Sequence, residues 1–101
     1  MGKGLPKLEK KRFEKEDDIF SIAELGNVSI LQIELKSLQS IKEVGNQIGG
    51  VLILVQGDVI LTIGGSVVEL RTAETIRIPK GFYLNIKAKE DSILYLVEKS
   101  L

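Results

Sequence analysis

A chain of 101 residues predicts a single domain, and its 14 acidic and 14 basic side chains cancel, so no net field draws it to nucleic acid or to an anionic membrane. The sequence has no cysteine, which excludes disulfides, thiol catalysis and thiolate metal sites. It has no histidine either, so it lacks the usual acid or base of neutral pH and the commonest metal ligand.

Residues 1–18 are polar and charged and are interrupted by two glycines and a proline, which predicts a tail or a loosely attached edge segment. The three cations at residues 10–12 are balanced by neighbouring carboxylates, which favours a solvated end over a polyanion contact. The chain has no apolar run of about 18 residues and no signal-peptide core, so we expect a soluble, cytoplasmic protein without a membrane partner. The domain itself is predicted to span residues 19–101.

Two segments near the start of the domain leave helix and strand open. Residues 19–25 fit a helical turn or a strand, because so few residues do not let periodicity decide, and residues 37–44 also fit either form. Between them, after a Gly-Asn turn, residues 28–35 alternate in a way that predicts a strand mostly buried on one face. One face carries Val28, Ile30, Gln32 and Glu34, and the other carries Ser29, Leu31, Ile33 and Leu35.

Residues 51–55 and 93–97 are apolar at every position. A strand that is apolar on both faces must be buried on both, so these two strands need a cover on each side. One face can line the interior of a barrel, and in so small a chain a second subunit is a reasonable cover for the other. We therefore predict a homodimer with an interface between sheets. The alternative is that the N-terminal third covers these strands within the monomer.

Glycine pairs and polar turns divide the rest of the chain into short strands. The pair Gly64-Gly65 suits a type I′ hairpin turn between residues 59–63 and 66–70, since both central positions of that turn need φ > 0. Residues 75–78 and 82–87 form two more strands. About eight short strands with turn signals roughly every 8–12 residues predict an all-β sandwich or barrel.

Three short stretches carry a resemblance to a known family: residues 54–58 (LVQGD), 63–65 (IGG) and 78–81 (IPKG). Over about residues 37–98 the chain resembles the cupin superfamily, whose fold is a small jelly-roll β-barrel. Gly57 matches the last glycine of that family's first signature, and Pro79 with Gly81 matches the centre of the second. The resemblance implies an all-β, cupin-like jelly roll as the fold class.

The family's metal ligands, three histidines and one glutamate, have no counterparts in this chain. A three-His, one-Glu site cannot be rebuilt from glycine, leucine and a single carboxylate, so we expect no metal and no cofactor. The glutamate position holds Gly50, the third histidine position holds Leu84, and the first two histidine positions hold Glu43 and Gly45 or, one residue later, Val44 and Asn46.

An oxygen-ligand site is the other way to hold a metal, with Glu43 joined by Asn46, Gln47 or Asp58. Calcium or magnesium needs more converging carboxylates than this loop offers. No metal site is therefore predicted.

Polar side chains along the domain supply five candidates for binding a small organic ligand. Arg77 suits a clamp on a carboxylate or phosphate, or alternatively an outward pairing with Glu69 or Glu74 of a neighbouring strand. Gln56 either offers its amide to a ligand or stabilises the bend that follows it. Tyr95 is expected to pack as an aromatic side chain with its hydroxyl at the rim of the barrel. The five candidates are Glu43, Gln47, Gln56, Arg77 and Tyr95.

No catalytic residue is predicted. The resemblance to cupins also implies a comparison with the sugar epimerases of this fold that work without metal. Those enzymes use a His–Asp pair with a tyrosine opposite, and this chain has no histidine to match. A mechanism on Tyr83, Tyr95, Glu43 or Lys87 would need tyrosine or lysine pKa values far below their usual value of about 10. If Leu84 points into the barrel, alternation turns Tyr83 and Lys87 away from it.

The sequence therefore predicts a metal-free, cupin-like domain that is not an enzyme. Its apolar barrel either binds a small organic ligand or is filled by side chains that support the homodimer. The alternative function is a metal-independent isomerase, epimerase or lyase acting on a sugar or small organic acid. A polar cluster inside the barrel mouth would favour this alternative, and a closed barrel filled by aliphatic side chains would count against it.

Overall fold

The computed structural model of the chain describes residues 4–5 and 19–99, and for residues 19–25 it describes the backbone only. Within these residues the chain forms nine strands and no helix, one strand more than the sequence predicted. The strands are β1 (Ile19–Leu25), β2 (Val28–Leu35), β3 (Ser40–Val44), β4 (Gly50–Gln56), β5 (Asp58–Ile63), β6 (Ser66–Arg71), β7 (Thr75–Ile78), β8 (Leu84–Ala88) and β9 (Ser92–Lys99).

The nine strands form two antiparallel sheets. The five-stranded sheet has the order β1-β2-β9-β4-β7, and the four-stranded sheet has the order β3-β8-β5-β6. Consecutive strands repeatedly change sheet, which is the arrangement of a jelly roll. The all-β prediction is confirmed: residues 19–25 form a strand, and of residues 37–44 a turn comes first and a strand follows from Ser40 to Val44. The predicted tail at residues 1–18 lies outside the described residues, apart from Gly4 and an exposed Leu5.

The core lies between the two sheets and is built from alternate residues of each strand. In β8, Leu84, Ile86 and Ala88 are buried while the two residues between them are exposed. This alternation follows from the two-residue period of a strand, and it confirms that Leu84 points inward. The largest fully buried side chains are Ile33, Leu52, Leu54, Val59, Leu61, Leu84, Ile86, Leu94 and Leu96.

Glycines shape the chain at two points that set the strand register. Gly64 and Gly65 have φ values of 54° and 86°, as the predicted type I′ turn requires, and β5 and β6 pair directly on either side of them. Gly57 has a φ of 123° and is packed against Ser92 so closely that a Cβ atom there would collide with that side chain. Only glycine combines this backbone angle with this contact.

The outward faces of the two sheets differ in polarity. The four-stranded sheet turns residues such as Asn85, Lys87, Glu69 and Arg71 outward. The five-stranded sheet turns seven apolar side chains outward on three adjacent strands, and we call this surface the outer patch. Val51 and Val55 in it are 39% and 46% exposed, and the other members are half-buried. The outer patch consists of Ile30 of β2, Val51, Ile53 and Val55 of β4, and Ile93, Tyr95 and Val97 of β9.

In one detail the strand prediction was wrong. Phe82 and Tyr83 precede β8 instead of belonging to it, and Phe82 packs on Gly64 at the tip of the β5–β6 hairpin. The part of the chain that the structure describes contains no helix that is long and apolar enough to cross a membrane.

Candidate functional site

The mouth of the barrel, where cupins hold their metal, is filled with aliphatic side chains. Leu84 is fully buried and Val44 is 4% exposed, and both line the mouth together with Leu96. The space enclosed among them measures about 10 Å³. One water molecule needs at least that volume, so the mouth has no room for an organic molecule.

Gly50 stands where the resemblance places the family's glutamate, and atoms of the neighbouring strand β9 occupy the space beside it. A Cβ atom on Gly50 would collide with the carbonyl oxygen of Val97 and lie 3.0 Å from the Cβ atom of Glu98. Gly50 pairs directly with Glu98 across β4 and β9. The barrel mouth therefore keeps one carboxylate, which comes from β9, and the β9 backbone with the base of the Glu98 side chain occupies the space that a side chain at position 50 would need.

Glu98 is the buried acid of this region and is only 8% exposed. Burial raises its pKa, because desolvation disfavours the charged carboxylate, and a hydrogen bond from the backbone N–H of Asn46 acts in the opposite direction. That N–H donates to Glu98 Oε2 at 3.1 Å. Asn46 holds its own loop in place, since its Oδ1 accepts from Ile48 N at 3.1 Å and its side-chain amide donates to the carbonyl oxygen of Lys99.

The residues at the mouth do not fit the metal of the cupin family. Leu84 and the glycines at positions 45 and 50 offer no ligand atom, and Glu98 is a single carboxylate. Across residues 4–5 and 19–99 the structure has no group of three Asp, Glu, Cys or His side chains that would surround an ion. No step of a metal-dependent reaction can therefore be assigned to these residues.

Glu43 and Gln47 lie at the mouth but point to solvent. Both have positive φ values, 56° and 64°, which are uncommon outside glycine and mark tight turns of the backbone. Their backbones are tied down: Glu43 N donates to Asn85 Oδ1 at 2.9 Å, and Gln47 O accepts from Gly81 N at 2.8 Å. The positive φ values thus belong to an irregularity within β3 at Glu43 and to the loop before β4 at Gln47. Asp58 is the other oxygen donor of the predicted metal alternative. It starts β5, four residues before Thr62, which pairs with the Asn85 that holds Glu43. Asp58 therefore lies about 13 Å along β5 from that pair.

Gln56 and Tyr95 are placed apart from the mouth. Gln56 is exposed at the far end of β4, where it lines a shallow cleft of about 160 Å³. The bend after it is held by Thr72, whose hydroxyl accepts from Gly57 N at 3.0 Å and donates to Gly57 O at 3.1 Å. Tyr95 is half-buried in the middle of the outer patch, between Gln32 of β2 and Ile53 of β4.

Arg77 points outward from the edge strand β7, and it does not pair with either predicted carboxylate. Glu69 binds Arg71 Nε at 2.9 Å, and Glu74 accepts from the backbone N–H of Arg71 at 2.7 Å. Arg77 instead lines an open groove of about 600 Å³ that crosses the ends of β2, β9, β4 and β7. We call this the end groove. Its cations are Arg77, Lys80 and Lys99, and its apolar lining includes Val28, Ile48, Val51 and Val97.

The structure thus distributes the five predicted residues over several places instead of bringing them into one site. The end groove adds Lys80 and Lys99 to Arg77, and the mouth adds Glu98, all of which the sequence analysis had passed over. Glu98 had a local signal, because it shares the inward face of β9 with Leu94 and Leu96 at two-residue spacing. The two lysines had none, since their meeting with Arg77 depends on which strand ends lie side by side.

The fold is similar to several solved cupins. A cupin superfamily protein from Desulfitobacterium hafniense DCB-2 superposes with a TM-score of 0.72 at 16% identity, over 87% of this chain and 83% of the other. An RmlC-like cupin from Shewanella frigidimarina NCIMB 400 gives 0.74 at 11% identity, over 89% and 84%. The cupin domain of Cnp3 from Schizosaccharomyces pombe gives 0.70 at 14% identity, over 89% and 69%. No protein-family model and no curated protein matches the sequence.

The two sheets, their strand order and these similarities define an all-β protein with the cupin jelly-roll fold. The resemblance that the sequence carried is confirmed at the level of fold. The chain is a small cupin-fold domain in which Gly50 and Leu84 stand where the resemblance places two of the family's metal ligands. Fold alone assigns no activity, so the function has to be argued from the surfaces and the interior.

Proposed function

We propose that this chain is a metal-free, non-enzymatic cupin-fold module that acts as a homodimer. The observation that supports the non-enzymatic part is the filled mouth, with about 10 Å³ enclosed among Val44, Leu84 and Leu96. An isomerase, epimerase or lyase needs space for its substrate and at least an acid and a base beside it. Glu98 is one buried acid without such space, so this alternative has little support.

The outer patch supports the homodimer. Its seven apolar residues lie on the central strands of the five-stranded sheet, whereas the outward face of the other sheet is mostly polar and sets Ile60 and Val67 among charged and polar side chains. A contiguous apolar surface of this kind marks an interaction site on a water-exposed protein. Two copies related by a twofold axis present the same patch to each other, so each covers the other without a further partner. A stable interface buries about 800 Å² on each partner, which the patch and its polar rim are expected to supply.

The first test is native mass spectrometry of the purified full chain with elemental analysis of the same sample. We expect a species of about twice the 11.1 kDa chain mass, without stoichiometric metal and without a small molecule inside the barrel. A species of about 11 kDa alone at micromolar concentration would contradict the homodimer. A metal bound at one ion per chain would contradict the metal-free assignment.

A further inference from the structure

We propose that the end groove is a binding site for a small amphipathic carboxylate, such as a medium-chain fatty acid anion, and that it replaces the closed barrel as the ligand site of this domain. The groove lies outside the barrel, where β2, β9, β4 and β7 end together. Its volume of about 600 Å³ is within the range of small-molecule sites. The inference stands on this groove alone and does not depend on the homodimer.

The floor of the groove is apolar. Val51 of β4 is its centre and is 39% exposed, and it pairs with Val97 of β9 on one side. Val28 of β2 pairs with Lys99 and lies diagonally from Val97, and Ile48 closes the floor from the loop before β4. An aliphatic chain laid across these strand ends would cover valine and isoleucine side chains, and each CH₂ group removed from water favours binding.

Three cations of the described chain border this floor, and none of them forms an ion pair with a described carboxylate. The ion pairs within the described part of the chain involve Lys36, Arg71 and Lys89, while Arg77, Lys80 and Lys99 form none. Among the described residues that line the groove the only acid is Glu98, whose carboxylate is buried and accepts a hydrogen bond from Asn46 N. The groove thus combines an apolar floor with an excess of positive charge, which is the complement of an apolar chain that ends in an anion.

Arg77 has the geometry for the anionic end. It pairs with Val51 across β7 and β4, so the two backbones lie about one strand spacing of 4.8 Å apart and both side chains leave the same face of the sheet. A guanidinium binds a carboxylate through two parallel N–H···O bonds, which Lys80 and Lys99 can supplement only as point charges. A carboxylate on Arg77 directs the chain across Val51 and Val97 toward Val28.

The test is a titration of the ¹⁵N-labelled full chain, followed by amide NMR shifts, with three probes: sodium octanoate, 1-octanol and inorganic phosphate. We expect octanoate to shift the amides of Gly50, Val51 and Val97 with a stoichiometry of one per chain. Octanol lacks the charge and phosphate lacks the apolar chain, so each should bind at least about tenfold more weakly, the factor that 1.4 kcal/mol represents.

Two double variants are compared, one that neutralises two cations of the end groove and a control that neutralises two cations of the four-stranded sheet. Arg77→Gln with Lys99→Gln should weaken octanoate binding about tenfold or more, because it removes two of the three cations that border the floor. Both side chains are exposed, so the core should be undisturbed. Lys42→Gln with Lys87→Gln removes two cations that border the outward face of the four-stranded sheet and should leave the affinity unchanged.

Three results would overturn the inference: no octanoate shifts at the groove, equal binding of octanol or phosphate, or unchanged binding by the Arg77/Lys99 variant. The molecular mass is measured by light scattering in the same samples. A failure of the homodimer would therefore be recorded separately from a failure of the groove. A sample that is already monomeric before octanoate is added, and that then binds octanoate at the groove, supports the inference while contradicting the dimer.

Discussion

At the scale of single residues, Gly50 and Glu98 lie opposite each other on β4 and β9, and each restricts the space of the other. Gly50 cannot be exchanged for a larger residue because the Val97 carbonyl and the Glu98 side chain occupy the space beside it. Glu98 is in turn enclosed by the loop that Asn46 stabilises, and it is deprived of water at the mouth of an otherwise aliphatic barrel. A buried carboxylate with one backbone N–H donor has lost more hydration than it regains, which is why its pKa is raised.

We predict that Glu98 makes the fold less stable as the pH rises. A carboxyl whose pKa in the folded state lies above its ordinary value of 4.5 binds its proton more tightly when folded. Its contribution is therefore fully present below pH 4.5 and is lost as the pH rises through the folded-state pKa. Glu98→Gln keeps an oxygen that accepts from Asn46 N but carries no charge, so it should unfold at a higher temperature than the parent at neutral pH.

Thermal unfolding followed by circular dichroism at acid and neutral pH checks this. Glu90→Gln serves as the control, because Glu90 is exposed in the turn before β9 and should have little effect at either pH. A Glu98→Gln variant that is less stable than the parent at neutral pH would mean that the charged carboxylate is stabilised by its surroundings, contrary to the prediction.

At the scale of elements, each strand is defined by which of its faces enters the core. β3 is the least regular, since its pairing with β8 is interrupted between Ile41 and Val44, and Glu43 in that interruption has a positive φ. The irregularity turns Val44 back toward the barrel, opposite Leu84. β3 thereby contributes an aliphatic side chain to the mouth at a position that the family, in one alignment, gives to a histidine.

Val44→Ala should destabilise the domain by about 2 kcal/mol, because it removes two buried methyl groups from a mouth without spare volume. The matched control is Val67→Ala in β6, where the valine is 66% exposed and the change should stay within about 0.5 kcal/mol. Urea unfolding gives both values. Equal costs for the two substitutions would contradict a packed mouth and would make an open, ligand-accessible barrel the better description.

At the scale of the whole molecule, the two outward faces have different roles. The four-stranded sheet presents charged and amide groups that water satisfies, whereas the five-stranded sheet presents the outer patch, with the end groove at one margin. The groove shares Val51 and Val97 with the patch, so a second copy seated on the patch would cover part of the floor on which a ligand would lie. Assembly and binding are therefore expected to influence each other.

The homodimer makes a prediction at this scale. Ile53→Lys places a charge in the middle of the outer patch and should give a folded monomer, because burying an unpaired ammonium at the interface is costly. Ile60→Lys makes the same change on the outward face of the central strand β5, beside Lys87 and Glu69, and should remain dimeric. Light scattering gives the masses, and circular dichroism confirms the fold. An Ile53→Lys variant that stays folded and dimeric would exclude the outer patch as the interface.

Much of the fold follows from local pattern. The alternation at residues 28–35 gives the buried Ile33 and Leu35, and the all-apolar run at residues 51–55 gives a strand with two covered faces. The Gly64-Gly65 turn follows from the φ angles that a tight hairpin requires. The strand period and turn chemistry depend on near neighbours in the chain, so they can be predicted from the sequence.

The candidate site could be predicted only in part. Arg77 was named as a group suited to a carboxylate, which stays a prediction, and Gly50 and Leu84 have no side-chain ligand atom in the sequence itself. The end groove could not be predicted, because Lys80 and Lys99 join Arg77 only through the order β9-β4-β7. Arg77 also lacks the carboxylate partner that its sequence surroundings suggested, since β7 lies beside β4 and Glu69 lies in the other sheet.

By itself the sequence determined the strands, their inward faces, the tight turns and the loss of the family's metal ligands. Only the tertiary structure decided that Glu98 meets Gly50, that the mouth is closed, and that three cations border an apolar groove. These features are contacts between residues distant in the chain, and they depend on how two twisted sheets close on each other and how side-chain volumes fill the space between them. Local periodicity carries no information about that packing.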